Sequence, residues 1–396
     1  MSSGMFHFDR RFTCRICEGE LETLWDLGSL ALTGHFPGPN EDVPSAPMEV
    51  AHCLRCSLVQ LAHNYTMPTF FGTGYGYRSG LNRSMVAHLT DLAQSTESLI
   101  GLKDGDLVVD VGGNDGTTLS AYRTKIRKVI VDPTARNWVA HIPEDIHVIP
   151  DFFEGRDQLG GEKAKLITTI SMLYDLPDPR GFIGNVYDSL EDDGFWLCEQ
   201  SDLAMMLEAN SFDTICHEHL EYYSEGLLIA LAKSLGFTLV SNTENAANGG
   251  SRRLLFKKAT NHDDSDFRKL ATKCEEQSKA FDRLITRTKD LEERLKKMLE
   301  GTKYHGLGAS TKGNTLLQVL RIEQDLLPYV AEVNPAKFGK FTPGTRIPII
   351  SEDESRDLRP EGYLVLPWHF REHFLLKKDS NSSLLFPLPN LEKILD

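Results

Sequence analysis

Apolar and polar positions change rhythm several times along the chain, and the changes mark its elements. From 85 to 99, MVAHLTDLAQSTESL places apolar residues at three- and four-residue spacing, which predicts an amphipathic helix. Short, near-continuous apolar runs follow: DLVVDVGG (106–113), KVIVD (128–132), IHVI (146–149), LITTI (166–170) and FWLCEQ (195–200), several with helical stretches between them. Such runs alternating with helices predict a doubly wound parallel sheet, an α/β architecture. FTLVSNTE (237–244), the turn NAANGG and SRRLLFKK (251–258) read as two more strands in hairpin-like succession at the sheet edge. A charged helical connector is expected over 259–300, its charge run forming a solvated face. A second α/β pattern runs from YHGLGAS (304–310) through KGNTLLQVL, YVAEVNP (329–335) and IPII (347–350) to YLVLPWHF (363–370). The rhythm divides the chain at 1–68, 69–258 and 259–396. No internal repeat is visible.

Composition narrows the class. With 396 residues, 40% hydrophobic and 25% charged, the chain has the make-up of a globular protein with several cores. Its net charge of −14 opposes general nucleic-acid binding, which needs clustered Lys and Arg. No apolar run approaches the roughly 20 residues of a membrane span, and MSSGMFHFDRRF has no signal-peptide h-region. A cytoplasmic monomer without membrane or nucleic-acid partners is expected.

Four of the seven cysteines fall in two CxxC pairs, Cys14 with Cys17 and Cys53 with Cys56. An odd cysteine total argues against a disulfide framework, whereas two knuckles supply the four thiolates of one closed structural zinc site per chain. Residues 18–52 make a loop longer than a compact zinc ribbon uses, so the insert is expected to pack on a neighbouring part of the chain. Redox chemistry would need one such motif on a βαβ scaffold.

Asp110-Val-Gly112-Gly113-Asn114-Asp115-Gly116 follows a predicted strand and opens a predicted helix. Gly112 and Gly116 permit a sharp turn and close approach to a ligand. The spacing is not that of the dinucleotide fingerprint. Asp132 ends the next strand, where a carboxylate suits a ribose diol. An acidic loop with no neighbouring cation favours a cationic, phosphate-free nucleoside, and S-adenosylmethionine fits better than a nicotinamide dinucleotide. Ser171, closing the strand 166–170, joins this set.

DVGGNDG resembles the first motif of Rossmann-fold methyltransferases, whose sheets also end with a reversed edge strand like SRRLLFKK. The two CxxC pairs, Tyr75-Gly-Tyr77-Arg-Ser79, His217-Glu218-His219, Gly249-Gly250-Ser251-Arg252 and Gly308-Ala-Ser310-Thr311-Lys312-Gly313-Asn314 extend the likeness from Cys14 to about Phe370. Together they resemble the sugar C-methyltransferases of deoxysugar biosynthesis, which methylate C-3 of nucleotide-linked 4-keto hexoses. That resemblance implies an N-terminal zinc-binding module, a central Rossmann-fold S-adenosylmethionine domain and a C-terminal Rossmann-like domain contributing to the nucleotide-sugar site. The nucleotide is expected to be thymidine diphosphate, with guanosine or cytidine diphosphate as alternatives.

Such chemistry needs a base beside a ketone, donors for the enolate oxygen, and alignment of carbon, methyl and sulfur. Resemblance assigns His219 as base and Glu218 as its orienter, with His217 structural or at the sugar. A metal reading of the HxH pair lacks a nearby third ligand. Tyr75 and Tyr77 are a second candidate pair, as sugar or cofactor contacts. Tyr174 and Tyr222 are placed at the sugar. The family often has Tyr where this chain has Cys216, and His where it has Tyr174, which leaves the enolate-stabilising donor open. Ser310, Thr311, Lys312, Gly313 and Asn314, between a strand and a helix, suit an anion such as a diphosphate. Asn334, Lys337 and Arg346 follow in a locally basic stretch. The competing readings are O- or N-methylation, and a zinc-bearing scaffold with a vestigial methyltransferase domain.

Overall fold

The computed structural model describes residues 6–66, 70–72, 76–260, 263, 267–270, 273–377 and 382–395. In it the near-continuous apolar runs become the centre of a seven-stranded sheet. Leu107–Val111 is buried along its whole length, as a strand covered on both faces must be. In chain order the strands are Leu107–Val111, Arg127–Val131, Ile146–Ile149, Ala164–Ile170, Leu190–Ser201, Phe237–Asn245 and Ser251–Lys258. They lie side by side as 3-2-1-4-5-7-6.

Ser251–Lys258 is antiparallel to both of its neighbours. It is therefore not the edge strand that the sequence leads one to expect, but sits between the fifth and sixth. Its own residues explain the position. Leu254, Leu255 and Phe256 are consecutive and all buried, which requires cover on both faces, whereas Phe237–Asn245 is mostly half-buried or exposed and tolerates the edge. The helix after the glycine turn is a single turn, Thr117–Ser120. Two adjacent β-branched threonines, with a serine two residues on, propagate a helix poorly.

The N-terminal segment does not close its own sheet. Leu21–Ala31, Ser45–Cys53 and Val59–Leu61 form an antiparallel meander, and Glu221–Tyr222 adds the fourth strand. A six-stranded sheet ends the chain, in the order Ile349–Ser351, Val330–Glu332, Tyr304–Leu307, Gly362–Val365, Ser383–Phe386 and Glu392–Ile394, with only the last strand reversed.

Helix Cys274–Leu299 is more than a connector. Phe281, Leu284, Leu291, Leu295 and Leu299 form a buried stripe along it, while pairs such as Lys279–Glu275 and Arg294–Asp290 occupy its solvated face. Gln277 donates to the Ser57 carbonyl at 2.8 Å, and Arg287 to the carbonyls of Leu207 and Glu208. One apolar core runs from Met48 through Phe212 and Phe281 to Leu316 and Leu364. Among the described residues, no helix is long and apolar enough to cross a membrane.

Candidate active site and metal centre

The four knuckle sulfurs converge. All lie within 4.8 Å of one another, with Cys14–Cys56 and Cys17–Cys53 each at 3.5 Å. A tetrahedral ion with Zn–S bonds of about 2.3 Å would hold sulfurs about 3.8 Å apart, so the set needs only small adjustment. Left-handed turns at Glu18 and Ser57 bring each pair back on itself. The N–H groups of Ile16, Arg55 and Cys56 point at the sulfurs of Cys14 and Cys53. At Gly19 a Cβ would stand 2.8 Å from the Cys53 sulfur, so the cradle is shaped around the sulfurs. Hydrogen bonding among the four thiols pulls Cys53 and Cys17 down and pushes Cys14 and Cys56 up. The donors fit a structural zinc ion.

The glycine turn lies where the strand order reverses, between strands one and four, the place where doubly wound sheets bind ligands. Gly112 (φ 74°), Asn114 (φ 50°), Gly116 (φ 77°) and Ser171 (φ 52°) are all left-handed, so the backbone folds back sharply on both sides of the crevice. A Cβ at Gly112 would meet Met172 at 3.0 Å, and one at Gly113 would meet Asp110 at the same distance. Gly116 instead packs on Ile130 and Ile146. Asp132 accepts from Asn114 N at 2.8 Å and from Thr134 N and Oγ1, so it also holds the turn in place. Burial raises Asp110 to about 7; Thr168 donates to its Oδ1 at 2.5 Å, while Oδ2 has no partner among the described residues. Arg78 and Gly80 close over Asp115, each at 3.0 Å from its Oδ2. Tyr77 contributes its carbonyl to Asn114 and leaves its ring nearly half exposed. Tyr75 lies outside the described residues.

A Val at position 112 would have to adopt φ near 74° against Met172, a strain on the order of 1–3 kcal/mol. Gly112→Val should therefore weaken cofactor binding roughly 5–150-fold while the sheet survives. Titration calorimetry with S-adenosylmethionine measures this, and unchanged affinity would make the loop a mere turn.

The HEH segment closes a small pocket of about 10 Å³, room for about one water, lined by Tyr174, Ser201, Asp202, Met206, Thr214, His219, Glu221 and Tyr222. His219 Nδ1 donates to the Thr214 carbonyl at 2.8 Å, which fixes the neutral tautomer with its lone pair on Nε2. Tyr174 packs edge-on against the imidazole, ring centres 4.5 Å apart, and its carbonyl accepts from Leu220 N at 2.7 Å. Burial pushes His219 down to about 4, and the nearby Lys312 ammonium adds to the shift. Orientation thus comes from a backbone carbonyl rather than from Glu218, which turns toward Gly34, where a Cβ would sit 2.8 Å from its Oε1. Burial holds the Glu218 carboxyl above its usual range. His217 points away, its Nε2 3.3 Å from the Ala46 carbonyl and its ring edge-on to Tyr65, a packing role. The Tyr222 hydroxyl is buried and has no partner among the described residues; burial keeps it protonated, and so a donor. Sequence reasoning missed Thr214 and Glu221. A carbonyl acceptor leaves no residue-type signal, and Glu221 resembled any strand-edge carboxylate.

The C-terminal candidates reach this place from the far side. Ser310 caps helix Thr311–Val319 by accepting from Gly313 N at 3.0 Å. Gly313 packs where a Cβ would meet Leu366 at 2.8 Å, and Asn314 donates to the Thr33 carbonyl at 2.7 Å. Lys312 Nζ donates to the Asn248 carbonyl at 2.6 Å and faces Asp213, whose Oδ2 accepts from Trp368 Nε1 at 2.8 Å. Asn334 caps a short turn through Ala336 N. Lys337 reaches the Ala309 carbonyl at 2.7 Å and lies over Phe36. Arg346 donates to the carbonyls of Gly38, Pro39 and Glu41. Those last two cations clamp the Pro/Gly-rich insert of the cysteine module onto the C-terminal sheet, where the sequence suggested a ligand anion.

Three family models match in succession: "Putative zinc binding domain" over 14–71, "Methyltransferase domain" over 77–242 and "C-methyltransferase C-terminal domain" over 246–389. The C-methyltransferase NovU of Streptomyces niveus is 29% identical over 408 aligned positions, covering 95% of each chain. Solved structures with a similar fold include the Burkholderia thailandensis 1,6-didemethyltoxoflavin-N1-methyltransferase (15% identical, 46% of this chain and 83% of that one, TM-score 0.35). The N-methyltransferase NodS of Bradyrhizobium japonicum is 14% identical, with 45% and 87% covered and a TM-score of 0.34. Its cysteine cluster, its switch-point turn and the three matches in order make the chain an S-adenosylmethionine-dependent methyltransferase with a zinc-binding module, similar to the C-methyltransferases.

Proposed function

We propose that the protein methylates C-3 of a nucleotide-diphosphate 4-keto-deoxyhexose through an enolate, with thymidine diphosphate as the nucleotide. The observation that carries this reading is His219, its Nδ1 committed to the Thr214 carbonyl and its Nε2 free beside the pocket-lining Tyr222. Nε2 takes the C-3 proton next to the ketone. The Tyr222 hydroxyl donates to the developing enolate oxygen, which answers the question left by Cys216 and Tyr174. A base as weak as His219 needs such a donor, because the electron pair must come to rest on oxygen. When bound, S-adenosylmethionine supplies an electrophilic methyl on sulfonium sulfur, and Asp110, Gly112, Gly113, Asn114, Asp115, Gly116, Asp132 and Ser171 form its cradle.

Segments 1–68, 69–258 and 259–396 serve as metal module, methyl-donor domain and nucleotide-sugar domain. Of the nucleotide contacts, Ser310, Thr311 and Lys312 act at the mouth between the second and third parts, while Lys337 and Arg346 act only by holding the 34–41 loop. Methylation of oxygen or nitrogen would not need the α-proton removed. The reading is therefore tested by incubating the protein with paired 4-keto and 4-hydroxy nucleotide sugars in deuterium oxide. Exchange of the C-3 hydrogen in the 4-keto sugar, before any donor is added, is the expected result. Formation of S-adenosylhomocysteine with no exchange at C-3 would reject the enolate route.

A further inference from the structure

We propose that Arg15, lying between the two cysteines of the first knuckle, is the positioning residue through which the metal module holds the His219 segment in place. This rests on the assignment of His219 above. The Arg15 side chain is fully buried. Its Nη1 donates to the Leu61 carbonyl at 2.7 Å and the Leu220 carbonyl at 3.4 Å, and its Nη2 to the His63 carbonyl at 2.7 Å and Asn64 Oδ1 at 2.9 Å. Its Nε faces Glu221 Oε1 across 3.4 Å, and its backbone N–H reaches Gln60 Oε1 at 3.0 Å. One guanidinium thus ties the knuckle to Val59–Leu61 and to Glu221–Tyr222, the strand that starts two residues after His219.

That strand is only two residues long and, among the described residues, pairs only with Val59–Leu61. Leu220 is gripped from both sides: its carbonyl accepts from Leu61 N at 2.9 Å as well as from Arg15, and its N–H goes to Tyr174, whose ring lies on His219. Glu221 and Tyr222 both line the pocket. Knuckle geometry is therefore passed to the base and the enolate donor through a planar fork that reinforces this short ladder. A lysine, with one ammonium, cannot span carbonyls on two strands.

The test uses full-length, zinc-loaded Arg15→Lys, read by hydrogen–deuterium exchange of peptides 217–223 and 107–120 together with kinetics. Expected are one zinc per chain, S-adenosylmethionine affinity within about twofold of the parent, and faster exchange in 217–223 but not in 107–120. With these, kcat should fall about 10–100-fold while KM for the methyl donor is unchanged, because a base displaced by about 1 Å loses rate rather than binding. Unchanged exchange in 217–223 overturns the proposal. Faster exchange with unchanged kcat leaves the tether standing and removes His219 from the chemistry. Should Arg15→Lys fail to fold, Glu221→Gln keeps the side-chain size and reads the same link: faster exchange in 217–223 supports it, and no change overturns it.

Discussion

His219→Asn should lower kcat by about 10²–10⁴-fold, roughly 3–5 kcal/mol of barrier, while both ligands still bind. Asparagine can keep a hydrogen bond to the Thr214 carbonyl but has no lone pair that accepts a proton near neutral pH. The pH profile gives the assignment a second signature. The active form is the neutral imidazole, and burial pushes its pKa down from 6.5 to about 4. Neutral His219 therefore persists as pH falls past 6.5. The acid limb of kcat/KM for the free enzyme should lie near pH 4, and it should vanish from any residual activity of the variant. Tyr77→Phe and Tyr174→Phe are controls, because a tyrosine base would move the large loss to one of them. Retention of more than about a tenth of parental kcat in His219→Asn would transfer the role elsewhere.

Loss of the metal should have the largest effect on stability. Structural zinc in small modules contributes an apparent 10–16 kcal/mol or so of binding free energy, which is also folding free energy. Cys53→Ser removes one of the four clustered thiolates, the one that also receives the Arg55 and Cys56 N–H groups. Zinc content should fall well below one per chain and the melting temperature should drop. From sequence alone, residues 1–68 would be expected to unfold first. The shared sheet extends the damage, because Glu221–Tyr222 pairs with Val59–Leu61 and the common core reaches Phe212 and Leu316. Activity should therefore fall along with the metal. Unchanged zinc content in Cys53→Ser would remove Cys53 from the ligand set.

Much of this molecule was legible before its structure. The parallel strands were visible because strands buried on both faces leave uninterrupted apolar runs, as in LVVDV and LITTI. The metal site was visible because ligand spacing within each knuckle is local. What stayed hidden depended on contacts distant in sequence. The insertion of Ser251–Lys258 between two strands follows from cover on both faces, which a hairpin pattern does not encode. Arg346 and Lys337 looked like ligand cations because their stretch is locally basic, yet their partners are backbone carbonyls, aromatic rings and, for Lys337, the Glu332 carboxylate at 3.5 Å. Thr214 orients His219 through its carbonyl, which any residue would supply. The motif singled out His219 as the proposed base, whereas its orientation is a property of the turn at Phe212–Thr214.

The position of the transferred methyl tests the central claim most directly. The protein is incubated with S-adenosylmethionine carrying a ¹³C methyl and with a nucleotide-diphosphate 4-keto-deoxyhexose, and the product is read by carbon NMR. The account predicts a methyl carbon bonded to C-3 of the sugar, formed one-for-one with S-adenosylhomocysteine. A methyl on oxygen or nitrogen, or no S-adenosylhomocysteine from any 4-keto sugar tested, would contradict it.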